Sequence, residues 1–155
     1  MDYATWDDRV EKFRIPAIQY RQVVEALQAE GSYFSDAAKA FEPLELVPSM
    51  EMEPYPHQSE ALAAWKLAGR RGVVVLPTAA GKTYLAQLAM QATPRSTLVI
   101  VPTLDLMHQW YAHLKAAFPD IEVGLLGGGS RDRTPILVST YDSAAIHAEA
   151  LGNRY

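Results

Sequence analysis

Short apolar runs alternate along this chain with segments of helical periodicity, and that alternation limits the possible folds more than any other feature. Four runs have the length and composition of strands buried on both faces of a sheet, at residues 73–76, 97–101, 123–126 and 136–139. Helical spacing predicts helices over 58–68, 82–92 and 104–118, and a last helix capped by Ser143 that extends to Leu151. The sequence therefore predicts an α/β protein with a parallel sheet flanked by helices.

The first 53 residues lack this alternation and predict a short N-terminal α/β extension that ends in a linker. A helix is expected to begin at Ile15-Pro16, since proline is tolerated in a first turn, and to end at Gly31. Four prolines between residues 42 and 56 interrupt any periodicity, which is typical of a linker. We therefore expect the extension over 1–53 and the main domain over 54–155. The expected buried stripe of the first helix consists of Ile18, Val23, Val24 and Leu27.

Charge separates the same two modules. The 155-residue chain has a net charge of −4, yet residues 1–60 contain 12 acidic and 5 basic side chains, whereas residues 61–155 contain 6 and 9. The second module is thus the one suited to binding phosphate groups.

Composition excludes several classes of protein. The chain has no cysteine, which rules out a disulfide framework, a thiol nucleophile and cysteine-bound zinc. No apolar run approaches the ~18 residues of a membrane-spanning helix, and the acidic N-terminus is unlike a signal peptide. We expect a cytoplasmic protein without a membrane partner.

The sequence LPTAAGKT at residues 76–83 lies between the first predicted strand and its helix, and it predicts a phosphate-binding loop. A tight loop before a helix directs backbone N–H groups at phosphate, and the positive end of the helix dipole adds to the attraction. In such loops the lysine, here Lys82, reaches the β- and γ-phosphates, and the hydroxyl, here of Thr83, ligates Mg²⁺. The expected nucleotide-binding residues are Thr78, Ala79, Ala80, Gly81, Lys82 and Thr83, with Lys82 and Thr83 also acting in catalysis.

Three residues depart from the usual composition of such loops. Leu76 stands where the strict pattern has glycine, and Ala79 and Ala80 stand where many loops have glycine or serine. A non-glycine residue costs about 1–2 kcal/mol where the loop requires a left-handed conformation. The alternative interpretation is a plain strand, turn and helix with an exposed lysine.

Further stretches accompany the loop in a definite order: PYPHQ at 54–58 before it, then VPTLDLMHQW at 101–110, VSTYDSA at 138–144 and AEALGNRY at 148–155. Together they resemble the first RecA-like domain of superfamily 2 helicases, most closely that of the XPB-type DNA repair helicases. The loop of that family also opens with Leu-Pro, but it usually has glycine at the position of Ala79. Residues 6–21 are similar to the junction after the damage-recognition domain in archaeal and bacterial XPB-type proteins.

The resemblance implies that the loop binds ATP with Mg²⁺. Gln58 matches the glutamine of the family's adenine-recognition segment, and its amide can pair with adenine through one donor and one acceptor. Tyr55 and His57 replace the usual arginine and tyrosine of that segment. The alternative for Gln58 is a helix residue that faces solvent.

The resemblance also implies that single-stranded or forked DNA is bound at two strand-to-helix junctions. Residues 101–110 resemble motif Ia and residues 138–144 resemble motif Ib, while the glycines at 127–129 form either a close approach to nucleic acid or a flexible surface loop. Met107 and Trp110 are expected in the core. The expected DNA-binding residues are Thr103, Leu104, Gly128, Ser139, Thr140 and Tyr141.

In the family, ATP hydrolysis needs an acidic D-E-x-H box and arginine fingers from a second RecA-like domain, and the sequence contains no D-E-x-H. We therefore expect the N-terminal portion of an ATP-dependent DNA helicase, inactive alone, whose partners are DNA near the nucleoid and the remainder of the helicase with its second RecA-like domain. Alternatives are a small P-loop kinase or other NTPase, and a nucleotide-binding adaptor without turnover that binds DNA or a protein.

Overall fold

The computed structural model of the protein describes residues 4–38, 41–152 and 154–155, which form two compact units, 1–37 and 38–155. No helix in these described stretches has both the length and the apolar character needed to cross a bilayer. The second unit contains the sheet and all the predicted motifs from residue 54 onward.

The first unit contains a β-hairpin and a helix. Strands β1 (Thr5–Asp7) and β2 (Lys12–Arg14) pair antiparallel, and the rings of Trp6 and Phe13 meet edge to face across them with centroids 5.0 Å apart. Arg9 donates two side-chain hydrogen bonds to the carboxylate of Asp7, and this interaction lowers the pKa of Asp7.

The helix of the first unit agrees with the sequence, but its apolar stripe is only partly covered. A 3₁₀ turn (Ala17–Gln19) leads into α1 (Tyr20–Ala29), and Gly31 closes it with a φ of 67°. The N–H of Ser32 donates to the carbonyl of Leu27, as expected for a Schellman C-cap. Ile18 is exposed, and Val23, Val24 and Leu27 are half-buried, because so small a unit has little structure with which to cover them.

A four-stranded sheet in the order β3-β6-β4-β5 forms the centre of the second unit, and β3, β6 and β4 are mutually parallel. Only the short β5 runs antiparallel, paired with the end of β4. The predicted α/β class is therefore confirmed. The elements are α2 (Pro56–Leu67), α3 (Lys82–Gln91), β3 (Thr97–Val101), α4 (Leu104–Ala117), β4 (Val123–Gly127), β5 (Ser130–Arg131), β6 (Ile136–Thr140), α5 (Tyr141–Ile146) and α6 (Ala148–Leu151).

The core lies between α4 and the sheet. Met107, Leu114 and Phe118 follow one another at helical spacing and are fully buried, as are Ile136 and Val138 of β6. Trp110 is half-buried and packs against the same cluster, so both residues expected in the core, Met107 and Trp110, lie there.

The apolar run at 73–76 is not a strand, contrary to the sequence prediction. Val73 is 91% exposed and Val75 is 87% exposed, and no strand among the described residues pairs with the run. A strand needs a neighbour for its N–H and C=O groups.

Residues 42–52, predicted as part of a linker, pack along the second unit as an ordered strap. The N–H of Leu44 donates to the carbonyl of Pro94 (3.1 Å), and the N–H of Ser49 donates to the carbonyl of Ala117 (2.8 Å). Leu46 is buried in the core. Burial of apolar side chains and satisfied backbone groups thus stabilise a proline-rich segment that has no periodicity of its own.

The last predicted helix is divided. It forms as α5 and α6, with His147 between them, and the side chain that caps α5 is Thr140, whose Oγ1 accepts from the N–H of Ser143 at 3.3 Å. The predicted cap, Ser143, lies instead inside the first turn of α5.

We expect the substitution Leu114→Ala to lower the free energy of unfolding by about 2–5 kcal/mol, because it leaves a cavity in a fully buried position of α4. Leu106→Ala, the same change at an exposed position of α4, should cost less than about 1 kcal/mol. Urea denaturation of both variants measures the difference, and equal losses would contradict the assignment of α4 to the core.

Candidate functional site

The phosphate loop ends at Gly81, which is the N-cap of α3 and has a left-handed φ of 74°. The left-handed backbone favours glycine here, and a Cβ would lie 2.3 Å from Nε2 of Gln58, so any side chain would have to displace that amide from its bonds to the loop. Because glycine has no side chain, it offers no cap to the N–H groups in the first turn of α3. These groups are the donors that a phosphate would accept from.

Ala79 adopts the left-handed conformation that makes its departure from glycine costly. Its φ is 61°, in a region that L-residues other than glycine, asparagine and aspartate rarely occupy. The cost is about 1–2 kcal/mol. Contacts from outside the loop must therefore stabilise this conformation.

The first turn of α2 supplies such contacts. Gln58 is only 1% exposed, and its Nε2 donates to the carbonyls of Ala80 (3.2 Å) and Gly81 (3.3 Å). Its Oε1 accepts from the N–H of Tyr55 at 3.0 Å. This burial excludes the solvent-facing alternative. Adenine recognition by Gln58 stays a prediction, and it would require the amide to exchange one of these bonds.

His57 makes a contact that the sequence did not indicate. Its Nε2 lies 3.0 Å from the carbonyl of Ala80, and because a carbonyl only accepts, this nitrogen carries the hydrogen. The imidazole also stacks on the ring of Tyr55, with centroids 5.7 Å apart. The only available signal was that histidine replaces the family's tyrosine at this position.

Lys82 and Thr83 occupy the first two positions of α3. The ammonium of Lys82 donates to the loop carbonyls of Leu76 and Pro77, each at 2.9 Å. An exposed ammonium, a hydroxyl and uncapped N–H groups form a donor set whose chemistry fits a magnesium-bound phosphate chain. Among residues 4–38, 41–152 and 154–155, no three acidic or histidine side chains are grouped to hold a metal by themselves.

The two helicase-like junctions meet at the carboxyl edge of the sheet. Val101, the last residue of β3, is paired with Thr140, the last residue of β6. Thr103 caps α4 by accepting from the N–H of Leu106 at 3.3 Å, in the same way that Thr140 caps α5. Parallel pairing thus places both capped helix starts side by side.

The glycine turn after β4 borders this edge. A Cβ on Gly127 would lie 2.9 Å from Oγ of Ser143, and one on Gly128 would lie 3.1 Å from Cδ2 of Leu104. Gly129 has nothing within 4 Å of its Cβ position. Side chains of the protein itself therefore approach the first two glycines, and the third is open.

The predicted DNA-binding residues differ in accessibility. Leu104 and Tyr141 are exposed, Tyr141 to 60%, whereas Thr140 is nearly buried. Ser139 is fully buried, and its hydroxyl donates to the carbonyl of Leu126 (2.8 Å), with the carbonyl of Thr140 also close to Oγ at 3.1 Å. The side chain of Ser139 therefore supports the sheet and does not reach the surface.

Two family models match successive parts of the sequence. Residues 1–38 match the "Xeroderma pigmentosum group B helicase damage recognition domain", and residues 51–154 match "Type III restriction enzyme, res subunit". The boundary between the two matches lies close to the position where the chain changes from net acidic to net basic.

Curated relatives carry XPB names. The chain is 35% identical to the "DNA 3′-5′ translocase XPB2" of Sulfurisphaera tokodaii over 97% of its own length and 34% of that protein. It is 37% identical to the "DNA 3′-5′ helicase XPB" of Mycobacterium tuberculosis over 48% of its own length and 14% of that protein. The chain thus spans about a third, or less, of the length of these relatives.

A solved structure with a similar fold is the crystal structure of a hypothetical ATP-dependent RNA helicase from Sulfolobus tokodaii. The aligned region covers 64% of this chain and 33% of the helicase chain, with a TM-score of 0.53 and 22% identity. At so low an identity the match supports the RecA-like fold alone. The family model that matches residues 51–154 covers most of the sequence. The chain belongs to the Type III restriction enzyme res-subunit family of superfamily 2 helicases, and its resemblance to the XPB-type members is confirmed.

Proposed function

We propose that this chain is the ATP-binding and DNA-contacting N-terminal portion of an ATP-dependent DNA helicase or translocase of the DNA repair type. The observation that carries this proposal is the phosphate loop, where a left-handed Gly81 precedes Lys82 and Thr83 at the start of α3. The family membership of residues 51–154 supports the same function.

Nucleotide binding would use the donors already present in the loop. The β- and γ-phosphates lie against the N–H groups of residues 79–83, and the ammonium of Lys82 leaves the carbonyls of Leu76 and Pro77 to bind them. The hydroxyl of Thr83 would hold Mg²⁺, and the ion would supply positive charge that offsets the charge of the phosphates. The hydrogen bond from Gln58 to the carbonyl of Ala80 stabilises the loop conformation, and the same amide is proposed to recognise adenine.

DNA would lie across the carboxyl edge of the sheet. The start of α4 at Thr103 offers N–H groups to a phosphate, and the exposed side chains of Leu104 and Tyr141 flank it. Gly128 adds exposed backbone to this surface, Thr140 acts by capping α5, and neither buried residue, Ser139 or Thr140, offers an open side chain. Such contacts would hold DNA through its backbone phosphates; single-stranded or forked DNA is the proposed ligand by resemblance to the family, and the protein would act in the cytoplasm close to the nucleoid.

The remaining catalytic groups would come from the rest of a helicase. Hydrolysis requires a carboxylate that holds Mg²⁺, a group that orients the attacking water, and arginines that stabilise the transition state. We propose that an acidic box and a second RecA-like domain supply them. The relatives are named as a DNA translocase and a DNA helicase, which supports the proposal that further domains supply these groups.

Replacing Lys82 by alanine should weaken the binding of Mg-ATP at least about tenfold, because a charge-assisted contact to phosphate is worth about 1.5–3 kcal/mol. Calorimetric titration measures the affinity. Lys66→Ala is the matched control, since Lys66 lies in the last turn of α2 and is exposed. Equal affinities of the two variants would refute the nucleotide site.

Single-stranded DNA should bind with little dependence on sequence and with an affinity that falls as salt rises. Thr103→Val, which removes the hydroxyl at the exposed start of α4, should weaken binding about threefold or more, whereas Ser139→Ala should leave it unchanged because that hydroxyl is buried. Fluorescence anisotropy over a series of salt concentrations tests both statements. Salt-independent binding, or an effect of Ser139→Ala alone, would contradict the proposed surface.

The 155-residue chain by itself should hydrolyse ATP at close to the uncatalysed rate, because its sequence contains no D-E-x-H box. A single arginine finger is worth about 10³–10⁵ in rate, and the missing carboxylates add to that deficit. Phosphate release should therefore become measurable only in a longer chain with the box and a second domain. Turnover of about one per second that Lys82→Ala abolishes would show that another carboxylate is used.

A further inference from the structure

A pocket lies at the β5 edge of the sheet, away from the phosphate loop. It has a volume of about 210 Å³ and lies between β5, the end of α5 and the last residues of the chain. Leu126 and Leu137 contribute apolar lining, while Arg131, Arg133 and Arg154 bring guanidinium groups. Since a water molecule takes about 30 Å³, the pocket has room for a phosphate group and several waters.

Positive charge is concentrated in this pocket without an ionic partner. Within the described part of the chain, no carboxylate lies within 4.0 Å of any of the three guanidinium groups, because the ion pairs found there are both in the N-terminal hairpin. The pocket's own carboxylate, Asp132, accepts from the N–H of Leu125 at 2.8 Å. His147 also lines the pocket. Three arginines against one carboxylate in the lining give the pocket an excess of positive charge, which favours a bound anion.

The walls of the pocket are held in place by hydrogen bonds to the main chain. Nη2 of Arg154 lies 3.5 Å from the carbonyl of Arg133, and the Tyr155 hydroxyl donates to the carbonyl of Thr134 at 2.7 Å. Ser96 Oγ donates to the carbonyl of Arg154 at 2.5 Å. Burial raises the pKa of Tyr155, which keeps its hydroxyl protonated as a donor. These bonds fix the backbone at Arg133, Thr134 and Arg154, while the side chains of Arg131 and Arg133 are exposed and accessible to a ligand.

One end of the pocket, at Leu126, lies next to the carboxyl edge of the sheet, whereas its Arg154 end lies at the amino edge beside Ser96. Leu126 lines the pocket, and the next residue, Gly127, lies beside Thr140 and Ser143 at that edge. One residue of a strand spans about 3.3 Å. We propose that the arginine pocket binds a backbone phosphate of DNA that continues from the carboxyl edge past the β4–β5 turn. Planar guanidinium groups match the geometry of phosphate oxygens. This inference rests on the proposed binding of DNA.

The test compares two variants that lose the same charge. Arg131→Gln/Arg133→Gln alters the pocket, and Arg70→Gln/Arg71→Gln alters an exposed turn after α2. We expect the pocket variant to bind single-stranded DNA about tenfold more weakly and to lower the slope of log affinity against log salt by about one. The control should keep the wild-type slope. Circular dichroism confirms that both variants are folded.

Further measurements separate the possible outcomes. Equal affinities and slopes for the pocket variant and the control would overturn the inference while leaving the proposed DNA binding intact. If wild-type protein bound no DNA at all, both proposals would fail. Calorimetry with inorganic phosphate tests whether the pocket binds a free anion instead of DNA. If the pocket variant lost phosphate binding but kept the wild-type salt dependence of DNA binding, the inference would also be overturned. Rescue of the slope by Arg131→Lys/Arg133→Lys would support it, since lysine restores the charge.

Discussion

The pairing of β6 between β3 and β4 is the constraint on which the second unit depends. All five residues of β6 are buried, and the strand is the only described link between the two outer parallel strands. Because the pairing is parallel on both sides, the ends of the three strands reach one edge together. Two helix starts and a glycine turn therefore lie next to each other, although they are separated by up to 37 residues in sequence, from Thr103 to Thr140.

The phosphate loop is held in a different way. The run before it is not part of the sheet, so the backbone of the loop is positioned mainly by Gln58 and His57 of α2. Gln58 also satisfies the N–H of Tyr55, which ties the start of the helix to the loop. The start of α2 and the loop proposed to bind nucleotide therefore share one buried amide.

Local pattern was sufficient for the elements whose partners lie within the chain. The strand 97–101 and the apolar stripe of α4 were predicted correctly. Both have a regular apolar spacing, and each packs against other residues of the same sheet and helix layer. The run at 73–76 has the same pattern and fails, since strand pairing depends on a neighbour that no local signal reveals. The strap at 42–52 has no periodicity, and its order comes from long-range contacts. Ser139 was predicted to bind DNA because it lies in a motif. In the structure its hydroxyl instead donates to a carbonyl of the neighbouring strand.

The attachment of the strap also has a mechanical consequence. Glu42 and Leu44 bond to the segment just before β3, and Ser49 bonds to the end of α4, so every one of these attachments is at the amino end of the sheet. A pulling force that arrives along the chain from before residue 41 is therefore borne first by those few bonds. The strap also reaches the proposed ligand site, because the hydroxyl of Tyr84 in the first turn of α3 donates to the carbonyl of Met52, so its last residues are tied to the helix that follows the phosphate loop.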